Sequence, residues 1–273
     1  MDALIQRAVD ALRACPFIAG IILGGSRATG TENSDVDIGV YYRHGQLNAE
    51  MLSRLAQELD DQHRENLVCG EGGWGPWVNC GGWLVMDGVH VDLILRDMDR
   101  VQEVVERTDR GEFSAHYQTG HPHAFLDVMY RGELASCQLL YAADPEFSAL
   151  KSRAENYPIP LQRALMQFFL FEAEFSCALA EKNLPNGDLY YFTGHLFRAA
   201  SALNQALFAR NAQWCLNEKK AIFRIDGFPM HPQSYAARMN HIFTLLGTSP
   251  QQALTTLQTL RQETIALCHL PNA

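Results

Sequence analysis

The sequence predicts an α/β domain over residues 1–110 followed by a helical domain over 111–273. Three observations carry that reading. An apolar run from Phe17 to Leu23 ends in Gly24-Gly25-Ser26 and leads, after a polar loop, into the alternating segment Asp35-Val36-Asp37-Ile38. A second β-rich run, Val89-His90-Val91-Asp92-Leu93-Ile94-Leu95, follows Asp87-Gly88, and Asp-Gly between two such runs is a strong hairpin signal. From residue 113 onward the apolar spacing is mostly helical, interrupted at Gly120-His121-Pro122, Asp144-Pro145, Pro158-Ile159-Pro160, Pro185-Asn186-Gly187 and Gly227-Phe228-Pro229.

Taken in order, Asp2 is placed to cap a helix over 3–14, with Leu4, Ile5, Ala8, Val9 and Leu12 on one face and Pro16 to stop it. The strand into the glycine turn comes next, then a strand over 35–42. In a strand alternate side chains share a face, so Asp35 and Asp37 are expected on one side and Val36, Ile38 and Val40 on the other, towards a core. Asn48 caps a helix running to about residue 65. Residues 70–83 hold six glycines and three tryptophans, a pattern of neither helix nor plain strand. They read either as a loop that folds its own aromatics down as a plug, or as an aromatic wall for a base or an acceptor ring. Asp97 begins a helix to about 107. Further helices are expected over 124–138, 161–182, 189–211, 233–246 and 250–268.

Composition narrows the function. At 273 residues and 47% apolar content the chain is globular in type and long enough for one large or two ordinary domains. It has no apolar run of about 18 residues, so no membrane-spanning helix is expected. Met1-Asp2-Ala3-Leu4 lacks the basic region of a signal peptide. Seven cysteines without paired spacing suit reduced thiols in a cytoplasm better than a disulfide framework or zinc site. A net charge of −9 argues against a grip on extended nucleic acid and suits a small or cationic partner.

Gly24-Gly25-Ser26, the loop after it, Asp35-Val36-Asp37 and the later Asp92 resemble the signature of the nucleotidyltransferase superfamily that includes DNA polymerase beta and the aminoglycoside nucleotidyltransferases. The resemblance covers roughly the first hundred residues. It implies an α+β (α/β) fold with a mixed sheet and flanking helices, a helical domain that forms an acceptor cleft, and transfer of a nucleoside monophosphate. The donor is ATP or another nucleoside triphosphate, with AMP the expected group, and the acceptor is a hydroxyl of a small molecule such as an aminoglycoside-like antibiotic.

The residues agree with that chemistry. Close carboxylates repel, and Mg²⁺, which takes oxygen ligands and substrate phosphates, relieves the repulsion. In the two-metal arrangement, Asp35, Asp37 and Asp92 are the metal ligands and catalytic carboxylates, with Asp92 helping to activate the acceptor hydroxyl. Gly25 and its neighbour let the backbone approach phosphate, and Ser26 supplies a hydroxyl. Arg27 either binds phosphate or pairs with Glu32 or Asp35. By resemblance, Lys219 reaches the triphosphate from the helical domain; the plain alternative is a solvated Lys219-Lys220 pair.

Glu172 and Glu174, inside an apolar helix, are either partnered structural acids or cleft contacts, and His195 and Arg198, three apart on the next helix, either make a helix-packing hydrogen bond or meet Glu172 or a substrate. His116, His121 and His123 lack ordered zinc spacing and read as a loop near the domain junction. Two rivals to a small acceptor stay open: transfer to a protein or a tRNA end, and a nucleotide-binding regulatory module without turnover.

Overall fold

A computed structural model describes residues 3–25 and 35–269. Asp2, Ser26 and Arg27 lie outside the described residues, and so do the roles expected of them. The described chain divides into two compact units. One holds residues up to Thr108 together with Phe113–Asn156, and the other holds Asp109–Glu112 and the chain from Tyr157 on.

The first unit is built on a five-stranded mixed sheet. Its elements begin with α1 (Ala3–Leu12), β1 (Ile18–Leu23), β2 (Val36–Tyr42), α2 (Ala49–Leu59), β3 (Cys80–Met86), β4 (Val89–Asp97) and α3 (Met98–Asp109). The short β5 (Ala115–His116) and β6 (Phe125–Leu126) pair with each other. Then come α4 (Val128–Ser136), β7 (Gln138–Ala142) and α5 (Pro145–Glu155). The strand order is β3-β4-β2-β1-β7, with β2 and β4 parallel and the other neighbours antiparallel.

The Asp-Gly hairpin forms as its chemistry requires. Asp87 and Gly88 sit at φ of 52° and 75°, and Met86 faces Val89 across the turn. The Asp61 carboxylate accepts from the Asp87 and Gly88 amides at 2.9 and 2.8 Å, which fixes the turn. Asn48 caps α2 by accepting from the Met51 amide. That helix stops at Asp60, short of the expected 65, because the Asp60 carboxylate accepts from the Val85 amide and from Arg64, ending the helix against β3.

One face of the sheet is the core. Val36, Ile38 and Val40, Val91, Leu93 and Leu95, and Leu84 pack with Leu4, Ile5, Ala8, Val9 and Leu12 of α1 and with Leu52 and Ala56 of α2, all within a few per cent of full burial. The strand alternation predicted Val36, Ile38 and Val40 of this inward set. The other face carries packed side chains towards the ends of β2 and β4. Tyr41 meets Phe147 of α5 at a ring separation of 5.0 Å, and buried Arg96 pairs with Glu133 of α4. Arg131 of α4 is fully buried and donates to the Val105, Ala154, Arg153 and Asn156 carbonyls, tying the ends of α3 and α5 together.

This first unit runs past the expected limit of 110, since the sheet takes its fifth strand from Gln138–Ala142. The helix expected over 124–138 is correspondingly shorter. Phe125–Leu126 pairs with β5 and Gln138 pairs with Leu23, so only Val128–Ser136 is helical.

The second unit is helical: α6 (Ile159–Asn183), α7 (Leu189–Arg210), α8 (Ala221–Ile225), α9 (Tyr235–Leu245) and α10 (Pro250–Cys268). Gln162 of α6 donates to the Ala209 carbonyl of α7, and Leu254, Leu257 and Leu260 of α10 are fully buried. No helix among the described residues is long and apolar enough to cross a membrane.

Candidate active site

Two of the three candidate acids stand side by side on the other face of the sheet. Asp37 of β2 and Asp92 of β4 are direct register partners in the parallel pair, so their side chains leave the same face. Asp35 lies one residue before β2 begins and is exposed. It is therefore at the mouth of the strand and not within it, as the alternation had implied. Its charge nevertheless reaches Asp92. The Asp92 carboxyl is pushed above the usual carboxylate range, first by burial and then by the negative charge of Asp35, with His90 opposing the shift. His90 went unnoticed in the sequence reading, although alternation from Asp92 points to it.

The glycine turn closes one side of this row. The Gly24 amide donates to the Asp37 carbonyl at 2.8 Å. Gly25 adopts φ of +62°, a left-handed conformation that glycine takes without strain. A Cβ on Gly25 would lie 1.8 Å from Asp37 Oδ2, so only glycine lets the backbone pass this close to the carboxylate. On the other side, Trp83 of β3 is the antiparallel partner of Asp92.

The Gly-rich segment 70–83 packs its aromatics in two groups. Trp77 is folded down: its ring stacks on His116 at 3.5 Å, and the Arg100 guanidinium lies 4.0 Å from its centroid on the same aromatic system. Trp74 and Trp83 stack on each other at 4.7 Å with Trp83 left 60% exposed.

Among the described residues, no group of three or more His, Cys, Asp or Glu is gathered closely enough to hold a metal ion. The donor chemistry still fits a hard cation. Asp35, Asp37 and Asp92 offer oxygen ligands only, the donor type that a hard cation takes.

The remaining candidates fall into structural settings. Glu172 is 11% exposed and pairs with Arg198 of α7 at 2.5 Å, and Glu174 lies 3.7 Å from Arg261. His195 packs edge-on against Tyr191, and burial lowers its pKa. His116 Nε2 is 2.8 Å from Ser114 Oγ, which donates to Asp127, while His121 packs edge-on against Phe125. Lys219 belongs to the second unit, where it is exposed and its amide donates to Asn217.

A mixed sheet that sets an aspartate on each of two adjacent parallel strands, beside a tight glycine turn, defines a domain suited to phosphate-group chemistry. The comparisons name the class more narrowly. Residues 5–108 match the family described as nucleotidyltransferase domain. The first unit thus carries a nucleotidyltransferase domain, and the match spans less than half of the chain.

Two solved structures are similar. One is a nucleotidyltransferase-like protein from Exiguobacterium sibiricum, 12% identical, with a TM-score of 0.47, covering 97% of this chain and 76% of its own. The other is spectinomycin adenyltransferase AAD(9) from Enterococcus faecialis, solved with ATP and spectinomycin. It is 13% identical, with a TM-score of 0.33, covering 96% of this chain and 98% of its own. No curated protein matches the chain. The family match supports nucleotidyl transfer in general.

Proposed function

We propose that the chain is a Mg²⁺-dependent nucleotidyltransferase that moves a nucleoside monophosphate, AMP from ATP, to a hydroxyl of a small-molecule acceptor in the cytoplasm, an aminoglycoside-like compound being the model acceptor. The observation that carries the proposal is the register pairing of Asp37 with Asp92 beside the Gly24-Gly25 turn.

In this reading Asp35, Asp37 and Asp92 hold the metal. A bound metal would supply positive charge to offset the charge on the phosphate oxygens. The Gly24-Gly25 backbone, Ser26 and Arg27 orient the triphosphate. Asp92, on the side of the row away from that turn, accepts the proton of the attacking hydroxyl.

The test is pyrophosphate release from ATP and Mg²⁺ over a panel of hydroxyl acceptors, in the natural chain and in Asp37→Ala. Release that depends on one acceptor class and vanishes in Asp37→Ala supports the proposal. ATP binding without release, unchanged in Asp37→Ala, would leave a nucleotide-binding module instead.

A further inference from the structure

Trp83 is a costly residue to leave open. Of the four tryptophans it is the exposed one, at 60%, although it stands in the middle of a strand whose neighbours Gly82 and Leu84 are buried. Several contacts hold it in place. Trp74 covers one face of the indole in a near-parallel stack, 4.7 Å apart at 20°. Trp74 can lie there because residue 81 is glycine: a Cβ at Gly81 would fall 2.3 Å from Trp74 Cη2. Trp74 is in turn anchored by its amide to the Asn79 carbonyl and by Gln118 Nε2 to its own carbonyl, both at 2.8 Å. The Trp83 carbonyl accepts from Arg64. The result is a rigid indole with one face backed and the remainder open.

Its position gives this surface a meaning. Gly25, Asp37, Asp92 and Trp83 form a row across three neighbouring strands and the adjoining turn. Adjacent strands lie about 4.8 Å apart, so Trp83 stands roughly 10 Å from Asp37, with Asp92 between them. Resting on the nucleotidyltransferase reading, the triphosphate occupies the glycine-turn end and the reacting phosphate lies over the acids. The space beyond Asp92 is then left for the molecule that supplies the hydroxyl.

We propose that the Trp83 indole, backed by Trp74, is the acceptor platform, and that the acceptor is a ring-bearing alcohol whose flat face lies on Trp83 while a hydroxyl at its rim reaches Asp92. Aromatic faces select flat or CH-lined rings and give little to an open chain, so Trp83 acts as a specificity-determining residue.

The experiment uses the full chain with saturation-transfer NMR. Phenyl β-glucoside and myo-inositol serve as ring-bearing probes and sorbitol as the open-chain control, with calorimetry of ATP and Mg²⁺ run in parallel. The expected result is transfer to the ring protons in the natural chain and in Trp83→Phe, binding weaker by about ten-fold in Trp83→Ala, no signal from sorbitol, and the same ATP affinity in all three proteins. Three results overturn the proposal: ring-alcohol binding unchanged in Trp83→Ala, no binding of either ring alcohol to the natural chain, or a loss of ATP affinity in Trp83→Ala, which would make the indole a seat for the nucleobase. Failure of the transferase reading itself appears separately, as absence of ATP binding in the natural chain.

Discussion

Replacing Gly25 by alanine tests the site at its tightest point. The residue sits at φ of +62°, where a side chain costs about 1–2 kcal/mol. The new Cβ would also stand 1.8 Å from Asp37 Oδ2, where real Cβ atoms do not come within 3.0 Å, so the carboxylate must give way by about 1.2 Å. Misplacing a reacting group by roughly 1 Å costs on the order of 100-fold in rate. Gly25→Ala is therefore expected to lose about two orders of magnitude in Mg²⁺-dependent pyrophosphate release. The backbone strain alone should lower the unfolding midpoint of the first unit by about 2–8 °C.

Gly24→Ala is the matched control. Its Cβ would meet the Asp37 side chain and carbonyl at 3.7 Å, an ordinary contact, and its φ lies outside the left-handed region. That variant should stay within about 0.5 kcal/mol of the natural chain and keep most of its release. The assay pair is a coupled pyrophosphate measurement and a thermal melt on both variants. If Gly25→Ala keeps its activity, or if the two variants lose it equally, the geometry of the turn is not what positions Asp37, and the reasoning fails.

Asp92→Asn should act in opposite directions on stability and on function. It removes a partly buried charge that Asp35 disfavours, so the metal-free chain should melt higher. The same change should abolish the rise in melting point expected of the natural chain with Mg²⁺ and ATP, and thermal melts with and without both ligands read the two effects together. Asp60→Ala should cost about 2 kcal/mol, because it removes the buried acceptor of the Val85 amide and leaves that donor without its partner, while Arg64 stays solvated and keeps the Trp83 carbonyl. The Arg64 guanidinium and burial shift the Asp60 carboxyl, with the Arg64 bonds prevailing and holding it well below the usual range. A depressed folded pKa stabilises the chain above the unfolded pKa, and that contribution is lost as pH falls through the folded one. Acid unfolding should accordingly begin at higher pH in Asp60→Ala when the two proteins are compared by circular dichroism across the acid range.

The readable parts of the sequence were those governed by local rules. Alternation placed Val36, Ile38 and Val40 in the core, and the spacing of α10 was read to its observed ends. What stayed hidden depended on long-range pairing. The β7 residues Gln138-Leu139-Leu140-Tyr141-Ala142 lie at the sheet edge, with no alternation to set them apart from the end of a helix. The parallel register of Asp37 with Asp92 crosses 54 intervening residues and no local signal states it. The Asp35 side chain was read as part of a strand because alternation has no term for where a strand begins.

One part of the site was legible and went unread. A two-residue hairpin fixes the register of both its strands, so Asp87-Gly88 already determines what lies opposite what. Counting three residues back from Met86 and three on from Val89 sets Trp83 against Asp92, as the pairing has it. An antiparallel pair sends such partners out on one face, so a large aromatic beside a candidate catalytic acid follows from the turn chemistry and the spacing alone. What the spacing does not contain is the support: Trp74 comes from the glycine-rich segment, whose path has no period to read, and it needs the bare backbone of Gly81 to settle against Trp83. The glycines that obscured this segment in the sequence are thus the reason that its tryptophan can back an open indole at the edge of the acidic row.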